Sequence, residues 1–147
     1  MTRVDFYFNV SDKLQKTREL TQKALFKQRK VMVCAADETQ AMSLSQALWC
    51  DAPSSFLPNC LVSTSVTDEL ALKITPIIIS SLQDHHFNQD DVLINLNNDH
   101  PVFFSRFRQL IELVGTDEAD RSAARLRFKF YRDRGYEIKT VDDTATQ

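Results

Sequence analysis

Residues 31–40 read VMVCAADETQ, and this stretch is apolar up to Ala36 and polar from Asp37 onward. Val31 to Ala36 is a continuous apolar run of β-branched character, which is typical of a strand buried on both faces of a parallel sheet. Asp37 then provides a helix N-cap, and Gln40 three residues later completes a pattern like a capping box. A buried strand that passes directly into a capped helix predicts an α/β fold.

The same alternation continues outward from this stretch in both directions. Upstream, residues 4–10 predict a strand, and Ser11 is expected to cap a helix that runs to about Gln28. The helix capped by Asp37 is expected to end before Pro53. Downstream, the predicted elements are an extended stretch at 72–79, a strand at 92–96, a short helix opened by Asp99 and Pro101, a strand at 110–114, a helix from Thr116 or Asp117 to about Arg134, and a strand at 136–141.

These elements together predict the fold class and the domain organisation. The alternation is that of an open, mostly parallel sheet with helices on both faces, which is a Rossmann-like arrangement. The chain has 147 residues, of which 43% are apolar, and this suits one domain with a proper core. We therefore expect a single α/β domain over 1–141, followed by a polar tail over 142–147.

Charge, hydropathy and cysteine content narrow the possible functions. The net charge is −2, whereas a domain with general affinity for nucleic acid is usually basic overall. No apolar run approaches the ~20 residues that span a membrane, and no signal-like stretch follows Met1, so a cytoplasmic location is expected. Cys34, Cys50 and Cys60 lack disulfide or zinc spacing and are expected to be buried free thiols.

A nucleotide-binding or phosphate-binding enzyme of doubly wound fold is the alternative that this fold class raises. Phosphate-binding loops need glycines, but the turn after the first strand, residues 9–12, contains none. The chain has only Gly115 and Gly135, and neither lies in such a loop. Binding of ATP with Mg²⁺ would favour this alternative, and the missing glycines predict none.

No residue pattern predicts catalysis, a metal or a cofactor. Adjacent His85 and His86, near Asp90 and Asp91, are read as a solvated loop in preference to a metal site. Paired carboxylates, as at 117–118, lie in first turns of predicted helices, where the helix dipole accounts for them.

The last predicted helix, residues 120–134 (DRSAARLRFKFYRDR), carries the most functional information. At 100° per residue, Ala123, Leu126 and Phe130 fall together and are expected to face the core. A different side, called the basic face below, carries Arg121, Arg125, Phe128, Lys129 and Arg132.

The basic face is either an incidental solvated surface or a site for an anionic ligand with an apolar group. Like charges this close cost a few tenths of a kcal/mol per pair, which favours a functional reason for them. A peptide with acidic residues and a terminal aromatic fits well, because guanidinium groups hold carboxylates and an apolar pocket takes the ring. Single-stranded nucleic acid fits less well, because one exposed ring is a small stacking platform.

Several segments resemble the chi subunit of bacterial DNA polymerase III holoenzyme over nearly the full length. The resemblance rests on Phe6-Tyr7-Phe8, on Ala47-Leu48-Trp49 followed by Ser55 to Pro58, and on Ala124-Arg125 through Lys129, Tyr131-Arg132 and Gly135-Tyr136. The chain departs from the family at Asn59, where histidine is frequent, and at Phe128, where tyrosine is frequent.

The resemblance implies a non-catalytic accessory subunit of the clamp-loader assembly. Family members pair with the psi subunit and bind the acidic, phenylalanine-ending tail of single-stranded DNA-binding protein. Matching positions would place the tail on Arg125, Phe128, Lys129 and Arg132, with Arg121 beside them and Trp49 as an apolar wall. The psi subunit would contact Phe56, Leu57 and Pro58, although the same loop could instead pack on the core.

Overall fold

The structure is a computed structural model that describes residues 2–50, 60–62, 77–80, 91–97, 99, 101 and 104–142. Within these ranges, the side chains of residues 38, 45, 47–50, 60–62 and 80 are not described. The strands are β1 (Arg3–Val10), β2 (Val31–Cys34), β3 (Cys60–Val62), β4 (Ile77–Ser80), β5 (Val92–Asn95), β6 (Gln109–Gly115) and β7 (Ile138–Asp142). The α-helices are α1 (Lys13–Phe26), α2 (Glu38–Cys50) and α3 (Glu118–Asp133), and Phe104–Arg106 forms one 3-10 turn.

The described strands form one sheet in the order β3-β4-β2-β5-β6-β1-β7. Every pairing among them is parallel. Apolar residues of α1 and α2 pack with Val31 and Val33 on one face, whereas those of α3 pack with Met32 and Cys34 on the other. The predicted open, parallel sheet with helices on both faces is therefore confirmed.

The central strands are buried because helices cover both faces of the sheet. All four residues of β2 are fully buried, as the continuous apolar run predicts. Successive side chains of a strand point to opposite faces, so one short strand contributes to both cores.

The caps of the first two helices differ slightly from the sequence-based prediction. The N-cap of α1 is Asp12 and not Ser11, because the Asp12 carboxylate accepts the backbone N–H groups of Leu14 and Gln15. At α2, Asp37 accepts the N–H of Gln40 at 2.7 Å, as predicted. The Gln40 side chain accepts the N–H of Ala36 at 2.8 Å, one residue before the position of a capping box.

Two predictions for the second half of the chain compare with the structure as follows. Of the short helix expected to open at Asp99 and Pro101, the described residues form the 3-10 turn at 104–106, and residues 100, 102 and 103 lie outside them. Asp142, assigned from the sequence to the tail, is the last residue of β7, where it pairs with Phe8. Residues 143–147 lie outside the described residues.

The predicted core-facing stripe of the last helix is also wrong. Leu126 is 73% exposed, and Ala123 and Phe130 are only half-buried. The buried residues of α3 are Asp120, Ala124, Arg127 and Tyr131. Polar side chains occupy this stripe because β6 and the start of α1 supply their partners, so apolar residues alone do not mark the buried side.

The described helices and the buried Cys34 bear on the expectations from hydropathy and cysteine spacing. No helix in the described part of the chain is long and apolar enough to cross a bilayer. Cys34 is buried as a free thiol, as expected, whereas the side chains of Cys50 and Cys60 are not described.

Candidate functional site

A groove of about 430 Å³ lies between the first half of α3 and the carboxyl ends of β1, β6 and β7. In open parallel sheets, this end of the strands is where ligands generally bind. The groove is lined by Phe6, Phe8, Asn9, Val114, Arg121, Ala124, Arg125, Phe128 and Thr140. Its residues come from four separate elements, which meet only in the folded chain.

The floor of the groove is apolar and partly aromatic. Phe6 is buried, and its ring meets that of Phe128 edge to face with 5.4 Å between centroids. Phe8 lies two residues further along β1 on the same side, and it is 36% exposed. A half-open floor of this kind can take an apolar group without rearranging the core.

Asn9 fixes one end of the groove through an unusual backbone conformation. Its φ is +60°, and the pairing of β1 with β6 shifts register between Tyr7 and Val10. Asn9 lines the groove beside Phe8, although strict alternation would turn consecutive side chains to opposite faces. Its amide accepts a hydrogen bond from Arg121 Nη2 at 3.0 Å and donates one to the Asp142 carboxylate at 3.1 Å.

The two guanidinium groups at the groove have different partners. Arg121 is bonded to the neutral Asn9 amide, whereas Arg125 Nη1 lies 3.0 Å from the Glu118 carboxylate on the same helix. Lys129 has no ion pair among the described residues, and Arg132 lies 3.8 Å from the adjacent Asp133 carboxylate. All four basic side chains are exposed.

The structure brings some of the sequence-predicted residues together and separates others. Arg121, Arg125 and Phe128 line the groove, whereas Lys129 and Arg132 lie on the same helix outside it. Trp49 lies on α2, whose described apolar residues pack on the opposite face of the sheet; its side chain is outside the described part, so the expected apolar wall stays a prediction. Residues 56–58, the expected psi contact, lie outside the described residues.

The strand residues that line the groove, most of them apolar, were not predicted from the sequence. Phe6, Phe8, Val114 and Thr140 belong to strands, and sequence alone does not state which strands lie next to α3. The alternation in β1 did place Phe6 and Phe8 on one side, and that was the available signal.

A buried polar cluster lies under α3 and holds the helix on the sheet. Arg127 Nε donates to Glu112 Oε2 at 2.6 Å, and both side chains are almost fully buried. Tyr131 and Asn95 donate to the other Glu112 oxygen at 2.9 Å and 2.8 Å. Burial raises the pKa of Glu112 above its usual range, and the Arg127 charge and these hydrogen bonds oppose that shift.

A second polar contact fixes the start of α3. The Asp120 carboxylate lies 2.7 Å from Lys13 Nζ and accepts the backbone N–H of Gly115. Burial pushes the pKa of Asp120 upward, but the bonds from Lys13 and Gly115 and the Lys13 charge outweigh it and leave the pKa lowered. The helix that carries the basic face is therefore anchored at two points, at Asp120 and at Arg127.

The Cys34 thiol and the possible metal ligands of the described residues give no sign of a reactive site. Burial raises the pKa of the Cys34 thiol to about 12, which leaves it protonated and unreactive at neutral pH. No group of three potential metal ligands occurs among the described residues, and His85, His86 and Asp90 lie outside them.

Comparison with solved structures identifies a related fold. The crystal structure of T4 UvsW superimposes with a TM-score of 0.69 over 96% of this chain and 42% of that chain, at 11% sequence identity. This chain spans about two-fifths of that protein, and at such low identity the likeness concerns the fold alone.

Sequence comparison is more specific. The profile of the family described as "DNA polymerase III chi subunit, HolC" matches residues 1–139. The DNA polymerase III subunit chi of Pseudomonas aeruginosa is 35% identical over 143 residues, which cover 95% of each chain. The subunit of the same name from Haemophilus influenzae is 33% identical over 76% of this chain and 74% of its own. That from Escherichia coli is 28% identical over 77% of this chain and 74% of its own.

The match extends over β1 and α3, which contribute most of the groove. The chain belongs to the DNA polymerase III chi subunit family.

Proposed function

We propose that this chain is a non-catalytic accessory subunit of the DNA polymerase III clamp-loader assembly in the cytoplasm. It pairs with the psi subunit as a heterodimer and binds the acidic C-terminal tail of single-stranded DNA-binding protein. It thereby links the polymerase assembly to protein-coated single strands during DNA replication.

The observation that carries this proposal is the combination of an apolar floor with two guanidinium groups in one groove. Phe8 and Phe128 offer a partly open surface for a terminal phenylalanine ring. Arg121 and Arg125 lie at the same groove and suit the carboxylates that accompany the ring. Further acidic residues of the tail can follow α3 towards Lys129.

Weak binding is expected from a contact of this size. Short peptides in open grooves bind with Kd values on the order of micromolar, or about −8 kcal/mol. Tethering at a replication fork raises the effective concentration, so that a weak contact still forms for much of the time.

Separate positions for the two partners would give a bridging role. The expected psi contact at residues 56–58 shares no residue with the groove proposed for the tail. One copy of the chain would then hold both partners at once.

Calorimetric titration with two synthetic peptides tests the tail site. One peptide ends in Asp-Asp-Ile-Pro-Phe, and the other lacks the phenylalanine. Binding of the intact peptide only, weakened in Arg125→Ala or Lys129→Glu at unchanged thermal stability, is the expected result. Equal affinity of these variants and the parent chain for the intact peptide would reject the site.

The remaining hypotheses predict different behaviour. A nucleotide-binding enzyme would be stabilised by ATP with Mg²⁺ in thermal unfolding, which we do not expect. Direct binding of single-stranded DNA would persist without any partner protein and would weaken steeply with salt.

A further inference from the structure

In the free chain, the Glu118 carboxylate is paired with Arg125, which is one of the two arginines at the groove. Its Oε1 lies 3.0 Å from Arg125 Nη1 and 3.4 Å from the Ser122 hydroxyl, which donates to it. Glu118 and Arg125 are seven residues apart on α3, so they lie on the same side of the helix. Both side chains are about two-thirds exposed, so the pair opens to solvent and is not locked.

Arg121 is in a different situation. Its hydrogen-bond acceptor is the neutral side-chain amide of Asn9 at 3.0 Å, and no ion pair of Arg121 occurs among the described residues. A ligand carboxylate can therefore reach Arg121 without displacing a charge, whereas at Arg125 it meets a carboxylate already in place.

We infer that Glu118 is an intramolecular competitor of the acidic tail, which must displace this side chain from Arg125 in order to bind. The inference rests on the proposed function, because it concerns how the same groove selects its ligand. The position of Glu118 Oε1 marks where a ligand carboxylate would lie at Arg125.

The competition has a consequence for specificity. A ligand with a single carboxylate can use Arg121 alone and leaves the Glu118–Arg125 pair intact. A ligand with two or more carboxylates displaces Glu118 and also meets repulsion from it nearby. Tail affinity is thereby held below the level that two free guanidinium groups would allow, and release of the tail is faster.

The size of the effect follows from the exposure of the pair. An exposed ion pair contributes about 0.2–1 kcal/mol, which corresponds to an affinity change of up to about fivefold. Removing the Glu118 charge should therefore strengthen binding of the acidic peptide by about 1.4- to fivefold.

The test is a double-mutant cycle in calorimetry at low salt with the peptide ending Asp-Asp-Ile-Pro-Phe. The chains compared are the parent, Glu118→Gln, Arg125→Ala and the double variant. Glu19→Gln is the matched control, because Glu19 is also an exposed acid paired with basic residues of its own helix, Lys23 at 3.3 Å and Lys16 at 3.6 Å. Glu19 lies on α1, on the other face of the sheet.

We expect tighter binding by Glu118→Gln, no change in Glu19→Gln, and no gain from Glu118→Gln once Arg125 is alanine. Equal affinities of the parent and Glu118→Gln would overturn the inference and leave the tail site standing. The same gain in the Arg125→Ala background would also overturn it, because the effect would then be one of net charge. Absence of binding to both the parent and Glu118→Gln would overturn the proposed function and the inference with it.

Discussion

Arg127 Nε donates to Glu112 Oε2 at 2.6 Å in the buried layer between α3 and β6. Arg127 belongs to the buried side of α3 together with Ala124 and Tyr131, and its bond to Glu112 ties the helix to β6. Glu112 accepts further bonds from Asn95 and Tyr131, so four side chains form one connected cluster.

Replacing one partner of the Glu112–Arg127 ion pair should lower the free energy of unfolding far more than replacing both. Glu112→Leu or Arg127→Met alone leaves a buried charge without its partner, and we expect each to lower the free energy of unfolding by about 3–5 kcal/mol. The double variant removes both charges and should lose less than either single variant. Urea unfolding of the four chains measures this, and additive losses would contradict a directly coupled pair.

The contact between Asp120 and Lys13 should make stability depend on acid pH. Because the pKa of Asp120 is lowered in the folded chain, its contribution is present above the unfolded pKa of about 3.9 and is lost as the pH falls through the folded pKa. Asp120→Asn should cost about 1–3 kcal/mol at neutral pH, as expected for a hydrogen-bonded buried charge.

The difference in unfolding free energy between Asp120→Asn and the parent should therefore shrink below about pH 4. Urea unfolding from pH 7 to pH 3 measures that difference. Titration of Glu112 affects both chains alike and cancels in the comparison. A difference that stays constant over this range would show that the Asp120 charge does not stabilise the fold.

Asn9 offers a way to separate backbone strain from its side-chain contact. Asn9→Gly permits the φ of +60° but removes the bond to Arg121, so we expect unchanged stability and tail affinity weakened by about two- to tenfold. Asn9→Ala should weaken binding similarly and should also cost about 1–2 kcal/mol of stability, since alanine resists this conformation. Calorimetry and thermal unfolding measure the two effects, and normal tail affinity in both variants would exclude a positioning role for Asn9.

Phe128 and Trp49 should differ in their effect on tail binding. Phe128 lines the groove, so Phe128→Ala should reduce the affinity for the intact tail peptide by about tenfold or more. Trp49 lies on a helix packed against the other face of the sheet, so Trp49→Ala should leave that affinity unchanged. Peptide titration of both variants, after thermal unfolding has verified that they fold, decides between the two positions. Weakened binding in a folded Trp49→Ala variant would instead support Trp49 as part of the tail site.

The sequence was informative where a local rule operates. The apolar run at β2, the Asp37 cap of α2 and the Asp117 cap of α3 follow from strand burial and from helix N-caps, and the structure contains all three. The basic face was likewise visible in the helical period, which places residues three and four apart on one side.

The core-facing side of α3 was not visible in the same way. Leu126 belongs to the apolar set by residue type, yet it is 73% exposed, whereas Arg127 is buried. Helical spacing predicts which residues share a side of the helix, but it does not predict which side packs against the sheet. That choice depends on Glu112, which lies on β6 and offers a partner for a buried guanidinium.

By itself, the sequence determined the α/β class, the parallel sheet, the membership of the chi family and the presence of a basic helix side. Each follows from short-range patterns or from similarity along the chain. The tertiary structure alone decided that Phe6, Phe8, Asn9 and Thr140 join Arg121, Arg125 and Phe128 in one groove, and that α2 lies on the other face from it. The physical reason is that strand order and the side of the sheet on which a helix packs are set by contacts between residues distant in the chain. At the groove these residues are more than a hundred positions apart, as for Asn9 with Arg121 and Asp142.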